Sequence, residues 1–248
     1  MTRILAAVGC IAPGEEADAL MHAAAGDPDA LEALVARRAV GEPIEWLTGA
    51  TMFCGVEVRV DPGVYVPRRQ TEPMARRAAT LLPPNGVAVD LCTGTGAIAV
   101  VLAEAVPTAR VLATDIDEHA VRCARHNGVE VFEGSLDDRL PRSVERAVDV
   151  MTAVVPYVPT GSLRLLPRDV QTFEPRQALD GGVDGTDLLI EVVRRSPRWL
   201  GPGGSLLLEL GGDQADPVGE QLRESGFSGI EVMADDDGDA RAVCAHLA

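Results

Sequence analysis

The chain has 248 residues, 46% of them apolar and only 3% aromatic, with 38 acidic against 22 basic side chains for a net charge of −16. That length and apolar content support one large core, or a large domain with a small one, filled mainly by Leu, Val and Ala. The charge argues against duplex DNA or RNA as the main partner, and no apolar run approaches the roughly 20 residues that span a bilayer.

The five cysteines are scattered and odd in number, with no CxxC spacing, which reads as reduced thiols in a cytoplasmic protein. The four histidines form no ligand pattern with them, so no metal site is expected. The start, Met1 to Cys10, weakly mimics a lipoprotein signal, but its charged and apolar segments are too short and acids follow at once. In chain order, Gly14 to Ala24 reads as helix with acids in its first turn. Asp27-Pro28 then offers an N-cap and an N1 proline for a second helix over Asp29 to Arg38. The pattern breaks around Gly41 to Gly49. Phe53 to Val60 alternates and reads as a strand bent at Gly55, and a helix is expected from about Thr71 to Leu82. From Val87 onward, strands at 87–91, 110–115, 129–133, 147–154 and 204–210 alternate with helices at 96–105, 117–126 and 185–200. This alternation implies a parallel sheet with helices on both faces. Gly229 to Met233 and Ala240 to Leu247, joined by the acidic turn Asp235 to Asp239, read as an antiparallel hairpin at the sheet edge. That acidic turn lacks the spaced ligands of a calcium loop. Trp46 and Trp199 read as core or interface residues.

The densest signal is Val87 to Val100, an apolar run ending in Asp90, a turn containing Gly94 and Gly96, and then an apolar helical pattern. Glycines there let backbone N–H groups approach a nucleoside cofactor at the carboxyl end of a strand. Gly94-x-Gly96-x-x-Ala99 also fits the looser dinucleotide fingerprint. S-adenosylmethionine (SAM) is favoured because Asp90, placed before the glycines, would pair with an ammonium and repel a pyrophosphate. Asp115, ending the next strand, is placed for two ribose hydroxyls, a role common to both cofactors. Asp117 is the better candidate to cap the helix that follows.

Several segments together resemble the class I SAM-dependent methyltransferases of the protein-(glutamine-N5) family, which modify peptide-chain release factors. They are Gly41-Glu-Pro43, Gly49-x-x-x-Phe53-x-Gly55, Val66-Pro-Arg-Arg-Gln-Thr-Glu72, Asp90-Leu-Cys-Thr-Gly-Thr-Gly96, Glu174-Pro175, Ala178-Leu179 and Gly181-Gly-x-Asp-Gly185. The resemblance implies a Rossmann-like α/β fold with a seven-stranded, mostly parallel sheet and an antiparallel C-terminal hairpin. It divides the chain into a helical N-terminal domain (1–45), a hairpin and connecting helix (46–82) and a SAM-binding domain (83–248). Asp90, Thr93, Gly94, Gly96 and Asp115 are then the cofactor residues, with Thr71 and Glu72 near cofactor and target. Thr71 also reads as a cap for the following helix. Ser135 stands near the adenine, where relatives usually carry Asp.

The family's NPPY element departs here, because the chain reads Val154-Val155-Pro156-Tyr157. In the family the Asn side-chain oxygen and a backbone carbonyl hold the amide NH₂ in line with the methyl group, and Val154 offers no acceptor. Pro156 and Tyr157 remain to shape the acceptor site beside Val154. Three readings follow: a divergent paralogue acting on a small, already nucleophilic metabolite, an active release factor glutamine methyltransferase, or a non-catalytic SAM-binding protein.

Overall fold

The computed structural model describes residues 1–7, 9–10 and 12–248, so the apolar start weighed as a signal lies partly outside the described residues at Val8. Four helices come first: α1 (Thr2–Ala7), α2 (Pro13–Ala23), α3 (Pro28–Ala39) and α4 (Ile44–Thr48). Leu5, Ala17, Leu20 and Leu47 form their shared core. The Asp27 carboxylate caps α3, accepting from the backbone N–H groups of Asp29 at 2.9 Å and Ala30 at 3.4 Å. Arg38 of α3 pairs with Glu16 of α2 at 2.6 Å. The apparent break at Gly41 to Gly49 contains α4, whose five residues are too few for a periodic signal.

Phe53 to Val60 is not one bent strand. β1 (Ala50–Phe53) and β2 (Val56–Arg59) pair antiparallel with Phe53 opposite Val56. The two linking residues, Cys54 and Gly55, have φ of 54° and 86°. Positive φ at both is the mark of a type I′ turn, which matches the twist of the strands it joins. Cys54 concealed the turn, because cysteine is not a usual left-handed residue.

α5 (Glu72–Leu81) leads to the main sheet of β3 (Val87–Leu91), β4 (Arg110–Asp115), β5 (Glu130–Glu133), β6 (Val148–Ala153), β7 (Leu200–Glu209), β8 (Phe227–Ala234) and β9 (Ala240–Leu247). Its order is β5-β4-β3-β6-β7-β9-β8. β3 to β7 run parallel, and β9 lies antiparallel between β7 and β8. β3 is a near-continuous apolar run because both faces are covered. On one face Phe53, Val58, Met74 and Ala78 share a core with Ile98, Leu102 and Val150, so the hairpin and α5 pack directly on the sheet with α6 (Ala97–Ala105). On the other, Val89, Leu112 and Met151 meet Leu189 and Val193 of α9 (Asp187–Arg195) and Val218 and Leu222 of α10 (Ala215–Glu224). α7 (Glu118–His126) follows β4, and α8 (Arg168–Phe173) lies in the long connection after β6.

The helix expected at 185–200 stops at Arg195 and tightens into a 3₁₀ turn at Ser196–Arg198. Pro197 has no N–H with which to continue it. α10 was not expected, because Pro217 and Gly219 look like breakers. Pro217 falls in the first helical turn, where its missing N–H costs nothing, and Val218 and Leu222 lie buried one turn apart.

The chain builds β3, β4 and β5 outward and then returns to lay β6 on the other side of β3. The connections from β3 and β6 therefore leave in opposite directions and open a crevice beyond their carboxyl ends.

Candidate active site

A cavity of about 490 Å³ occupies that crevice. Its first half is built by the ends of β3 and β4. Asp90 is 1% exposed and accepts hydrogen bonds from the hydroxyls of Thr93 at 2.5 Å and Thr152 at 2.7 Å. Burial pushes its carboxyl up to about 6, against the two hydroxyls that favour the ionised form. Asp115 accepts from the N–H of Gly94 at 2.8 Å and of Asp117 at 2.9 Å, and burial raises its pKa as well. Asp117 caps α7, accepting from the His119 N–H at 2.9 Å.

The two loop glycines do different work. Gly94 (φ 57°) lines the cavity, with open space where a Cβ would stand. Gly96 (φ 84°) faces inward, where a Cβ would come within 2.9 Å of Val129 and 3.2 Å of Ala124. Asn127 ties the loop to the hairpin: its Oδ1 accepts from the Arg59 N–H, and its Nδ2 donates to the carbonyls of Arg59 and Thr95. The Thr95 hydroxyl is buried beside the cavity with no partner of its own, a vacancy that suits a polar ligand. Acids at two strand ends, an open glycine backbone and an orphan hydroxyl fit a nucleoside carrying an ammonium.

The second half begins where β6 ends. Val154, Val155, Pro156 and Tyr157 line it together with Phe53, Tyr65, Gln70, Leu166, Pro167 and Val170. Both tyrosines of the chain border this space. The Tyr157 hydroxyl donates to Glu209 Oε1 at 2.8 Å and accepts from Gln70 Nε2 at 3.0 Å. Gln70 Nε2 also donates to Glu209 Oε1, at 3.2 Å. Burial, followed by the neighbouring Glu209, raises the Tyr157 pKa, so this hydroxyl keeps its proton.

The stretch around Gly181 to Gly185 holds the Pro156-Tyr157 loop from beneath. A Cβ at Gly181 would lie 2.7 Å from the Pro156 carbonyl oxygen, and one at Gly185 would lie 2.1 Å from that of Tyr157. Gln214 Nε2 donates to the Tyr157 carbonyl at 2.8 Å and to that of Asp184 at 3.2 Å. Arg68 pairs with the buried Glu174 and lies 4.9 Å from the Tyr65 ring centre. The acidic lining residues Asp90, Asp115, Asp117 and Asp169 therefore face a single lining arginine whose charge is already matched.

Of the residues singled out in the sequence, Thr71, Asp90, Thr93, Gly94, Asp115, Val154, Pro156 and Tyr157 border the cavity. Three do not. Glu72 turns to Arg76 at 2.7 Å, Gly96 packs against α7, and Ser135 is exposed in the turn after β5. Thr71 makes no capping hydrogen bond and is 5% exposed. Glu209 and Asn127 stand outside the segments quoted above, and nothing within those segments pairs Arg68 with Glu174 or joins Gln70 to Tyr157. For Glu209 the available signal was a lone acid ending the apolar run Leu206-Leu-Leu-Glu-Leu210.

Residues 88–169 match the family model described as a methyltransferase domain. The sheet resembles that of the ribosomal protein L11 methylase from Lactobacillus delbrueckii subsp. bulgaricus, with a TM-score of 0.53 over 77% of this chain and 84% of that one at 18% identity, a likeness of fold. Fold and domain together define a class I SAM-dependent methyltransferase. A release factor glutamine methyltransferase from Geobacter sulfurreducens is 37% identical over 220 residues, 86% of this chain and 76% of that protein. A 4-amino-L-phenylalanine/4-methylamino-L-phenylalanine methyltransferase from Streptomyces pristinaespiralis is 36% identical over 237 residues, 91% of this chain and 80% of that protein. With these relatives, the chain belongs to the release factor glutamine methyltransferase family.

Proposed function

We propose that this methyltransferase acts on a small, already nucleophilic acceptor, an amine carried on an apolar or planar body, and not on the amide of a protein glutamine. The observation that carries the proposal is Val154 at the end of β6, bordering the cavity where the family places an asparagine. An amide nitrogen is a poor nucleophile because its lone pair is delocalised into the carbonyl. It needs acceptors that orient its N–H groups and stabilise the positive charge developing on nitrogen. Leaving a buried N–H unpaired costs about 1–3 kcal/mol, or about one to two decades in rate. An amine brings its own lone pair and depends less on that help.

Two further observations support this reading. In the second half Asp169 borders the space and the one lining arginine, Arg68, is already paired, which disfavours an anionic acceptor and suits a neutral or cationic one. The Streptomyces relative, aligned over 91% of this chain, is named for an aromatic amine acceptor. The alternative, methylation of a release factor glutamine, is favoured by the name of the Geobacter relative.

SAM, when bound, supplies a methyl group on a sulfonium that is already a good leaving group. In this proposal Asp90 and Thr93 hold the ammonium end, Asp115 with the Gly94 backbone holds the ribose, and Thr71 closes the site from the side of α5. Phe53, Val154, Val155 and Pro156 exclude water from the transfer region and clamp a flat acceptor. Tyr157 keeps its proton, donated in a hydrogen bond to Glu209, and orients the acceptor with its ring. Gly96 acts indirectly, by letting the glycine loop pack on α7.

The test is transfer of labelled methyl from SAM to 4-amino-L-phenylalanine and, in parallel, to a purified release factor, with the Geobacter relative as control. A kcat/KM at least tenfold higher on the amine, corrected for the control's preference, supports the proposal. Label on the release factor glutamine at the control's rate supports the alternative.

A further inference from the structure

We infer that Asp169 is a specificity-determining residue, which holds a second, cationic nitrogen of the acceptor while an uncharged amine of the same molecule takes the methyl. The inference rests on the amine acceptor proposed above and narrows its class. Asp169 stands in the first turn of α8, and it borders the second half of the cavity together with Leu166, Pro167 and Val170. The N-terminal helices seat α8 from behind. The Phe173 ring packs edge-on against Trp46 of α4, 6.4 Å between centres. A Cβ at Gly41, in the turn before α4, would lie 3.6 Å from the Phe173 ring and 3.8 Å from the Asp169 Cβ. Asp169 therefore has the Gly41 turn on one side and the cavity on another.

Its carboxyl group has no hydrogen bond and no ion pair among the described residues, although two arginines lie in this neighbourhood. Both are committed elsewhere, Arg38 to Glu16 at 2.6 Å and Arg68 to Glu174. Asp169 is half-buried, and neither of its oxygens is among the buried atoms left without a partner, so both are open to a ligand. An unmatched acid on the wall of a largely apolar space is complemented by a cation that brings N–H donors. That cation is not the nitrogen that reacts. A protonated amine has no lone pair, so the nitrogen that attacks the methyl carbon must be uncharged. The acceptor class that follows has two ends: a weakly basic amine of the aryl kind, neutral near pH 7, and a strongly basic amine that is protonated there. Asp169 takes no part in the bond changes. It places the far end of the acceptor, so that the near end meets the methyl group.

The test uses three acceptors that share an aniline nitrogen. They are 4-amino-L-phenylalanine, 4-(2-aminoethyl)aniline, which keeps the ammonium and lacks the carboxylate, and 3-(4-aminophenyl)propanoic acid, which lacks the ammonium. A release factor is the fourth acceptor. Methylation kinetics are measured for wild type, Asp169→Asn and Asp169→Glu, with SAM affinity by calorimetry. Wild type is expected to use the two ammonium acceptors with a kcat/KM about tenfold or more above the propanoic acid. Asp169→Asn is expected to erase that preference through a KM about tenfold higher on those two, with kcat and the use of the propanoic acid within about threefold of wild type. SAM affinity should stay within about twofold, and Asp169→Glu should restore part of the preference. A wild type that shows no preference for the ammonium acceptors would overturn the inference and leave the amine acceptor standing, and this comparison needs no variant to fold. A loss in Asp169→Asn that is equal on all three amines, as a merely structural role would give, would overturn it in the same way. Transfer to the release factor glutamine and to none of the amines would overturn the amine acceptor, and the role of Asp169 with it. Transfer to none of the four would overturn both.

Discussion

The two halves of the cavity are built by the same sheet under different rules. The cofactor half is polar, and its glycine loop is wired largely within one strand–loop–helix unit and its neighbour, Asp90 to Thr93 and Asp115 to Gly94, with Thr152 reaching Asp90 from β6 and Asn127 tying the loop to the hairpin. The acceptor half is assembled from distant segments, with Gln70, Tyr157 and Glu209 meeting across separations of 87 and 139 residues. The glycine loop tolerates little change, because Asp90 and Asp115 are each held by a nearby turn of chain. A composite half is reshaped whenever one contributing segment changes, and Val154 is such a change.

The largest effect is expected from breaking the support of the composite half. Gly185→Ala places a methyl 2.1 Å from the Tyr157 carbonyl oxygen at a φ of 72°. The Pro156-Tyr157 loop must then lift, at a cost of about 3 kcal/mol, or roughly 6–12 °C in Tm. Calorimetry should find that drop, with methyl transfer lost while SAM binding at low temperature stays within threefold. Equal loss of both would mean that the two halves are not separable.

Asp90→Asn strikes the cofactor half and is expected to weaken SAM binding at least tenfold. Its pH dependence has a definite sign. The Asp90 pKa is raised from 3.8 to about 6 by burial, so the fold favours the protonated carboxyl. Its contribution to stability is full below about pH 4 and is lost as the pH rises through about 6. Near pH 7 the ionised group is a net cost, so Asp90→Asn should melt no lower than wild type there, and a few degrees higher if the neutral amide keeps both threonine contacts. SAM affinity of the wild type should fall as the pH drops below about 6, and that of Asp90→Asn should stay flat. A flat wild-type profile would remove Asp90 from contact with the ammonium.

Ser135→Ala and Glu72→Gln should do least. Both residues were placed at the cofactor by resemblance, but neither borders the cavity. SAM affinity is expected within twofold of wild type, and a tenfold loss in either would mean that the site closes over the turn after β5 or the start of α5.

The same contrast explains what the sequence made legible. The parallel sheet, the glycine loop, the placing of Asp90 and Asp115 at strand ends beside the cavity and the capping of α7 by Asp117 follow from short segments, where period, turn residues and spacing are local. The edge hairpin of β8 and β9 was readable for the same reason. The type I′ turn at Cys54-Gly55, the five-residue α4 and α10 with its early Pro217 were not, because each contradicts a local rule that tertiary packing overrides. Gln70 stands within a segment singled out in the sequence, yet nothing in Arg69-Gln-Thr71 says that its amide meets Tyr157 and Glu209. That depends on Glu209, whose position next to Tyr157 exists only once β6 and β7 pair with Ala153 opposite Leu208. Gly181 and Gly185 were legible as a motif and illegible as a cradle, since the backbone they admit lies more than twenty residues away.

The central claim is that the missing amide at position 154 sets the acceptor class. The most direct measurement is the ratio of initial rates on release factor and on 4-amino-L-phenylalanine, for wild type and Val154→Asn, at saturating SAM. The account expects wild type to favour the amine and Val154→Asn to shift the ratio toward the protein glutamine by about 10- to 100-fold. A wild type that already favours the glutamine, with a ratio unmoved by Val154→Asn, would contradict it.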